Sequence, residues 1–365
     1  MFHTKYDGFD DPFPDGRVFP GPLVIGCFSV DGTGTLTFDN TKMRYLKLPN
    51  AHEQVNYDLN EGYIDITKEP DEKKDNIDYV LRWLNQQREG RVEHGYESAS
   101  PGQCISVNKL KDVFVCRRKF LETLISTPFE EQQGWKLSVI VHNDTIYMCQ
   151  IGGETVPVPN SSVELWRKSC FWGWKLRQFI TADDRGGNPV PTRPCNPLEE
   201  FDTVNKLEIQ NHTLVYSSEI AAFDDEKQKY VSMKTCKKPT DVRQDKNFTR
   251  FKLQQWWAYC QLGGVSGVHV GYRDDNGIVT SLKYMSINDL LRYRRRWKDN
   301  ICYHFLDGFL TWMKAVIKKS RPGTKVHLFE YFPGDKKKNY EDSIIRYSPQ
   351  LNDEFNFLPS WFTEE

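Results

Sequence analysis

Two hydrophobic periods alternate along the chain, and the switches between them mark its elements. Ile77, Val80, Leu81 and Leu84 recur at helical spacing, which predicts a helix near Asn76 to Gln87. After a loop at Ser98 to Gln103, Phe120, Leu121, Leu124 and Ile125 mark a second, short helix. The period then falls to two. Leu137, Val139 and Val141 alternate, Asn143-Asp144 turns, and Ile146 and Met148 return, which is the pattern of a hairpin. A helix is predicted from Ser162 to Phe179, followed by strands at Thr213 to Phe223 and Lys229 to Cys236 with the acidic turn Asp224-Asp225-Glu226 between them. Phe251 to Cys260 reads as a helix, and Val268 to Arg273, the turn Asn276-Gly277 and Ile278 to Met285 as another hairpin. Ser286 with Asp289 is an N-cap pair. A further helix puts Cys302, Phe305, Leu306, Phe309, Met313 and Val316 on one face, with Lys318, Lys319 and Arg321 at the end where the dipole favours cations. Lys325 to Phe332 is a late strand, and residues 1–75 read as an irregular N-terminal part with short strands. Strands and helices mix with several antiparallel hairpins, so the class is α+β, or mixed α/β. With no repeat and no long Pro/Ser-rich linker, a single domain over residues 1–365 is expected.

Composition narrows the classes of function. Hydrophobic residues make up 38%, aromatics 13% and charged residues 27%, which excludes a disordered, collagen-like or coiled-coil chain. No run of 18 apolar residues is present, so no membrane helix is expected. The start, MFHTKYDGFDDPF, lacks a basic segment before an apolar one, so no secretory signal is expected. The 49 basic and 50 acidic residues nearly cancel, so any nucleic-acid site must be local. Nine irregularly spaced cysteines without a Cys-x-x-Cys predict free thiols and a reducing, nuclear or cytoplasmic setting. Four Asn-x-Ser/Thr triplets carry no weight without secretion.

Candidate chemistry is sparse. The two strands after residue 212 carry Glu219-Ile220-Ala221 and Ser232-Met233-Lys234, and alternate strand residues share a face. Adjacent strands bearing an acid, a second acid and a lysine serve metal-dependent nucleases; here only Glu219 and Lys234 have the required type. Arg292, Arg294, Arg295, Arg296 and Lys298 form a basic run with Tyr293 and Trp297 interleaved, readable as an RNA contact or as a solvated helix face. Lys336, Lys337 and Lys338 read as a solvated turn. Gly263-Gly264 and Gly267 lack the Lys-Ser/Thr of a phosphate loop.

These strands also carry a resemblance. Upstream of them stand Phe114-Val115-Cys116-Arg117-Arg118, Thr127-Pro128-Phe129-Glu130, Gly134-Trp135 and Gly173-Trp174-Lys175-Leu176-Arg177. Downstream, Lys252-Leu253 with Trp256-Trp257-Ala258, Gly271-Tyr272-Arg273, Ser281-Leu282-Lys283 and Val326-His327-Leu328-Phe329 continue in order. In these segments the chain resembles the DXO family of RNA 5′-end decapping enzymes and 5′-to-3′ exoribonucleases, with the motifs between residues 114 and 260. The resemblance implies a single domain of two twisted β-sheets flanked by helices, with a core like the restriction-type nucleases. It implies Mg²⁺ or Mn²⁺ in active members, an RNA 5′ end as ligand, and, for some members, association with a nuclear exoribonuclease.

The motif positions depart from that pattern. The first-motif arginine is present as Arg118. Arg177 stands where Gly-x-x-x-Glu has its glutamate, Ala221 where Glu-x-Asp has its aspartate, and Ser232 where Glu-x-Lys has its glutamate. Glu219 and Lys234 are kept, and Tyr259 replaces a glutamine. The four carboxylates of an active member are thus reduced to one, cancelled by Arg177, while Arg118 and Lys234 bring the pocket to about +2. Divalent Mg²⁺ needs anionic oxygen ligands, and a neighbouring cation repels it. The expectation is a catalytically inactive, monomeric relative with no metal ligand set and no cofactor. Arg118, Arg177, Lys234 and Lys252 are the candidates for meeting an RNA 5′ end or a nucleotide; a protein partner in RNA turnover is the other expected binder. Two readings of the innermost atoms stay open: an electropositive cleft that binds phosphate, or an Arg177–Glu219 pair that closes it. A residual enzyme fed by outlying ligands such as Asp224 or Glu226 is the alternative.

Overall fold

The computed structural model describes residues 1–4, 21–50, 52–63, 77–88, 111–152, 160–293, 297–334 and 343–364. In chain order its strands are β1 (Phe2–His3), β2 (Leu23–Val30), β3 (Leu36–Thr37), β4 (Tyr45–Leu46), β5 (Tyr57–Asp58), β6 (Val113–Arg117), β7 (Trp135–His142), β8 (Thr145–Gly152), β9 (Thr181–Ala182), β10 (Glu200–Ile209), β11 (His212–Glu219), β12 (Ala222–Asp224), β13 (Lys229–Lys237), β14 (Gly267–Arg273), β15 (Ile278–Ser286), β16 (Val326–Phe332) and β17 (Ile344–Gln350). The helices are α1 (Asp78–Arg88), α2 (Arg118–Ser126), α3 (Asn160–Ile180), α4 (Val242–Asn247), α5 (Leu253–Gly263), α6 (Ile287–Leu291), α7 (Asp299–Lys318) and α8 (Ser360–Thr363).

The strands form two mixed sheets. The larger runs β1-β17-β16-β7-β8-β6-β11-β10-β2-β3, the smaller β5-β15-β14-β13-β12-β4-β9. Both predicted hairpins form. At the tip of β7–β8, Asn143 and Asp144 take φ of 48° and 60°, the left-handed conformation that a tight turn needs and that Asn and Asp tolerate. At the tip of β14–β15, Asp274 Oδ1 accepts the N–H of Asn276 and of Ile278, and Gly277 supplies φ of 84°. Ser286 and Asp289 form the capping box of α6.

Three apolar clusters cover the sheet faces. Phe120, Leu121, Leu124 and Ile125 of α2, Trp256 and Trp257 of α5, and Phe305, Leu306 and Phe309 of α7 pack on one face of the larger sheet and bind it to the smaller. Val80, Leu81, Trp83 and Leu84 of α1 cover its other face. Phe171, Trp172 and Leu176 of α3 pack against Val231 and Val279 of the smaller sheet.

One predicted element is corrected. The stretch Thr213 to Phe223 is not a single strand. It breaks at Ile220-Ala221, and its halves enter different sheets: β11 pairs with β10 and β6, whereas β12 pairs with β13 and β4. The Ile220 N–H goes to Phe201 O at 2.9 Å, and the Ile220 side chain fills the core at the crossing. Glu219 and Ala221 therefore do not share one strand face; they flank the seam between the sheets.

Candidate functional site

The motif positions converge on that seam. Glu219 ends β11 of the larger sheet, Ser232 and Lys234 lie on β13 of the smaller one, and Ala221 sits in the crossing. The helices supply the rest: Arg118 opens α2, Arg177 lies in the last turn of α3, and Tyr259 is on α5.

Arg177 Nη1 lies 3.4 Å from Glu219 Oε1. Burial pushes the Glu219 carboxyl up, but Arg177 and then Arg118, Arg117 and Lys234 outweigh it and hold it below the ordinary glutamate range. The one retained motif carboxylate is thus an ionised partner of the arginine that replaced its neighbour. Arg118 turns inward. It is buried, with Nη1 2.9 Å from Glu122 Oε1 and Nη2 donating to the backbone oxygen of Glu219 at 3.2 Å. Its guanidinium carbon stands 3.6 Å from the centre of the Tyr259 ring. Lys234 Nζ stands 4.3 Å from the same ring. Burial lowers the Lys234 ammonium, and Glu122 pulls the other way. Tyr259 closes the arrangement: its hydroxyl donates to Glu219 O at 3.0 Å, and burial pushes its phenol up to about 12, with Arg118 opposing.

The aromatic ring and two cations therefore stand among the retained and replaced motif residues. Ser232 is buried, and Ala221 packs against the third apolar cluster. Lys252 is exposed, near Cys236, and does not join the group. Asp224 is held by Lys227, whose Nζ is 3.1 Å from Oδ2, so it is engaged within its own turn. Of the basic run, Arg292 is exposed and pairs with Asp289 at 3.1 Å, while Trp297 is buried; Arg294 to Arg296 and Lys336 to Lys338 lie outside the described residues.

Sequence reasoning missed two further charged groups here. Glu122 has a signal available: it lies four residues after Arg118 on a helix, the spacing of a facing ion pair. Asp202 has none. It is fully buried on β10, directly across from Glu219, with Arg117 Nη2 at 3.9 Å and both oxygens accepting no hydrogen bond. Burial, and then the like charge of Glu200, push its carboxyl well above the ordinary aspartate value. A carboxyl raised on folding holds its proton more tightly in the folded chain. Its contribution is complete below the ordinary value of 3.8 and is lost as pH climbs through the folded value. Asp202→Asn is therefore expected to stabilise the chain at pH 8 more than at pH 4. Urea unfolding at both pH values checks this; a loss at pH 8 would mark Asp202 as an ionised partner of Arg117 instead.

Residues 21–363 match the family model described as RAI1 like PD-(D/E)XK nuclease. The chain belongs to this family. The human Decapping and exoribonuclease protein is 30% identical over 374 residues, which cover 98% of this chain and 87% of that one. Crystal structures of RAI1-like proteins share the fold. Scheffersomyces stipitis Rai1 matches with a TM-score of 0.76 at 18% identity, covering 95% of this chain and 97% of its own. Candida albicans Rai1 in complex with pU5-Mn²⁺ matches with a TM-score of 0.73 at 16% identity, covering 94% and 95%. The mixed α/β architecture of two sheets and flanking helices expected from the resemblance is the RAI1-like fold.

A divalent metal of the kind held by the Candida albicans protein does not fit the donors at these motif positions. Of the four acidic motif positions only Glu219 is a carboxylate, and it faces Arg177. Among the described residues, no group of three or more His, Cys, Asp and Glu side chains is arranged to hold a metal ion.

Proposed function

We propose that this chain is a non-catalytic member of the RAI1-like family that binds a phosphorylated RNA 5′ end or nucleotide without cutting it. It acts as a single, monomeric domain in RNA metabolism of the nucleus or cytoplasm. The observation that carries this reading is the Arg177–Glu219 pair. A guanidinium at the position of a family carboxylate neutralises the last acid of the motif set, so the site offers cationic donors to phosphate and no anionic clamp to a metal. That the Candida albicans relative was solved with pU5 supports a 5′-phosphorylated ligand for the fold.

The test is direct. Capped, 5′-triphosphorylated and 5′-monophosphorylated RNA incubated with the pure protein and Mn²⁺ or Mg²⁺ is expected to remain intact, and the 5′-phosphorylated forms to bind. Turnover that disappears in Glu219→Ala would overturn the reading. Absence of both turnover and RNA binding would replace it with a protein scaffold.

A further inference from the structure

The smaller sheet carries a second surface, built from cations and rings that the Arg177–Glu219 site does not use. Two rows cross this sheet, Lys234–Val270–Lys283 and Cys236–Tyr272–Ser281, and register partners share a face. Lys234 lies against Tyr259 at the seam, whereas Lys283, two strands away, is exposed. From Lys283 the strand β15 runs through its capping box into α6, which packs on α5 and is followed by Arg292 and Tyr293. We propose that this face binds single-stranded RNA, with phosphates at Lys252, Lys283 and Arg292 and bases stacked on Tyr272 and Tyr293. The proposal rests on the reading that the chain binds RNA, and adds a contact for the body of the strand beyond its 5′ end.

The five residues are neighbours in space although they come from separate elements. Burial pushes the Cys236 thiol up to about 11, with Lys252 and then Arg273 opposing, so Lys252 stands beside that row of the sheet. Burial, Cys236 and then Tyr293 raise the Tyr272 phenol, which places the two rings together. Ser286, and then Arg292 and Lys283, hold the Asp289 carboxyl below its ordinary range, so both cations reach the same acid. Drawn from three elements, these cations are not the solvated stripe of one helix. Lys252 and Lys283 make no ion pair among the described residues. Arg292 pairs with Asp289 at 3.1 Å but remains 78% exposed, and Asp289 also accepts the Ser286 N–H and hydroxyl as a helix cap. The other acids nearby are engaged elsewhere: Asp275 by Lys237 at 2.7 Å, and Asp274 by the hairpin turn. Arg273 does not join, since its guanidinium stands over Trp172. Three cations against one carboxylate leave two positive charges in excess, on a chain whose net charge is −1. Tyr293 is 41% exposed and Tyr272 half-buried, so ring faces are offered beside the cations, the combination that suits an unpaired strand. Lysine is depleted at protein–protein interfaces, which favours RNA over a protein partner for this face.

Fluorescence anisotropy of the full chain tests the surface with pentauridine and pentadecauridine, each carrying a 5′-hydroxyl or a 5′-phosphate. Pentadecauridine is expected to bind about tenfold tighter than pentauridine in both forms. Lys252→Ala, Lys283→Ala and Arg292→Ala combined should remove that gain and reduce the slope of log affinity against log salt by about 2. Tyr293→Ala should weaken pentadecauridine about tenfold, and Tyr293→Phe should not. All four side chains are exposed, so urea unfolding of these variants is expected to match the unmodified chain. No gain with length, or a gain and salt slope that survive the triple substitution, would overturn the proposal. Polyglutamate competing as well as RNA would overturn it in favour of an acidic protein segment. A preference for 5′-phosphate without a gain in length sinks this face and leaves the non-catalytic reading standing. Cleavage of the RNA sinks that reading, while a length gain lost in the triple variant still upholds this face.

Discussion

Restoring the four motif identities together, Arg177→Glu, Ala221→Asp, Ser232→Glu and Tyr259→Gln, is expected to raise the Mn²⁺ affinity of the chain steeply. The backbone already brings these positions to the seam, because β11, the crossing, β13, α3 and α5 meet there. Only the side chains oppose a cation. Arg177 is the largest opponent: a unit positive charge about 4 Å from a divalent ion costs about 8 kcal/mol at a protein-surface dielectric, and a carboxylate in its place reverses the sign. Tyr259 must change as well, since its ring stacks on Arg118 and its hydroxyl holds Glu219 O. After the cost of burying new acids is set against these gains, an affinity increase of about a hundredfold is expected. Calorimetry or the paramagnetic signal of free Mn²⁺ measures it. A well-folded quadruple variant with no gain over the unmodified chain would show that charge loss at these positions is not what excludes the metal.

The second large effect concerns stability. Arg118→Ala is expected to cost about 3–5 kcal/mol, because it leaves Glu122 facing a buried space without its partner. The Arg118 side chain is 7% exposed and that of Glu122 is 23%, so solvent compensates poorly. Burial already raises the Glu122 carboxyl, against the pull of Arg118. Removing Arg118 lets it rise further and take a proton. Arg118→Ala with Glu122→Gln should therefore recover part of the loss in urea unfolding, the signature of a coupled pair. If Arg118→Ala is as stable as the unmodified chain yet loses RNA more than tenfold, Arg118 is a ligand contact and its inward, partnered geometry does not persist in solution.

These outcomes bear on what was readable in the chain. The helices at α1, α2, α5 and α7 and the two hairpins follow from local periodicity and turn chemistry, because each buries its own stripe or closes its own turn. The strand β10 left no such trace. Thr203 and Asn205 sit in its buried interior, Asn205 Nδ2 donating to Thr203 Oγ1 at 3.0 Å, so polar residues stand where alternation would ask for apolar ones. The break at Ile220-Ala221 was hidden for the opposite reason. Its period-two pattern runs on unbroken, and only distant pairing partners send the halves to different sheets.

The residues at the motif positions, and hence the loss of carboxylates and the arrival of Arg177, belong to the sequence alone, because charge is a property of residue type. Where each charge points belongs to the tertiary structure. Arg118 and Arg177 look alike as letters, yet one faces into the core against Glu122 and the other faces Glu219 at the wall of an open cleft. Arg44 joins that wall through Thr181, 137 residues away, and nothing local marks the meeting. Ion pairing and desolvation depend on distance in space, and only the folded chain sets that distance.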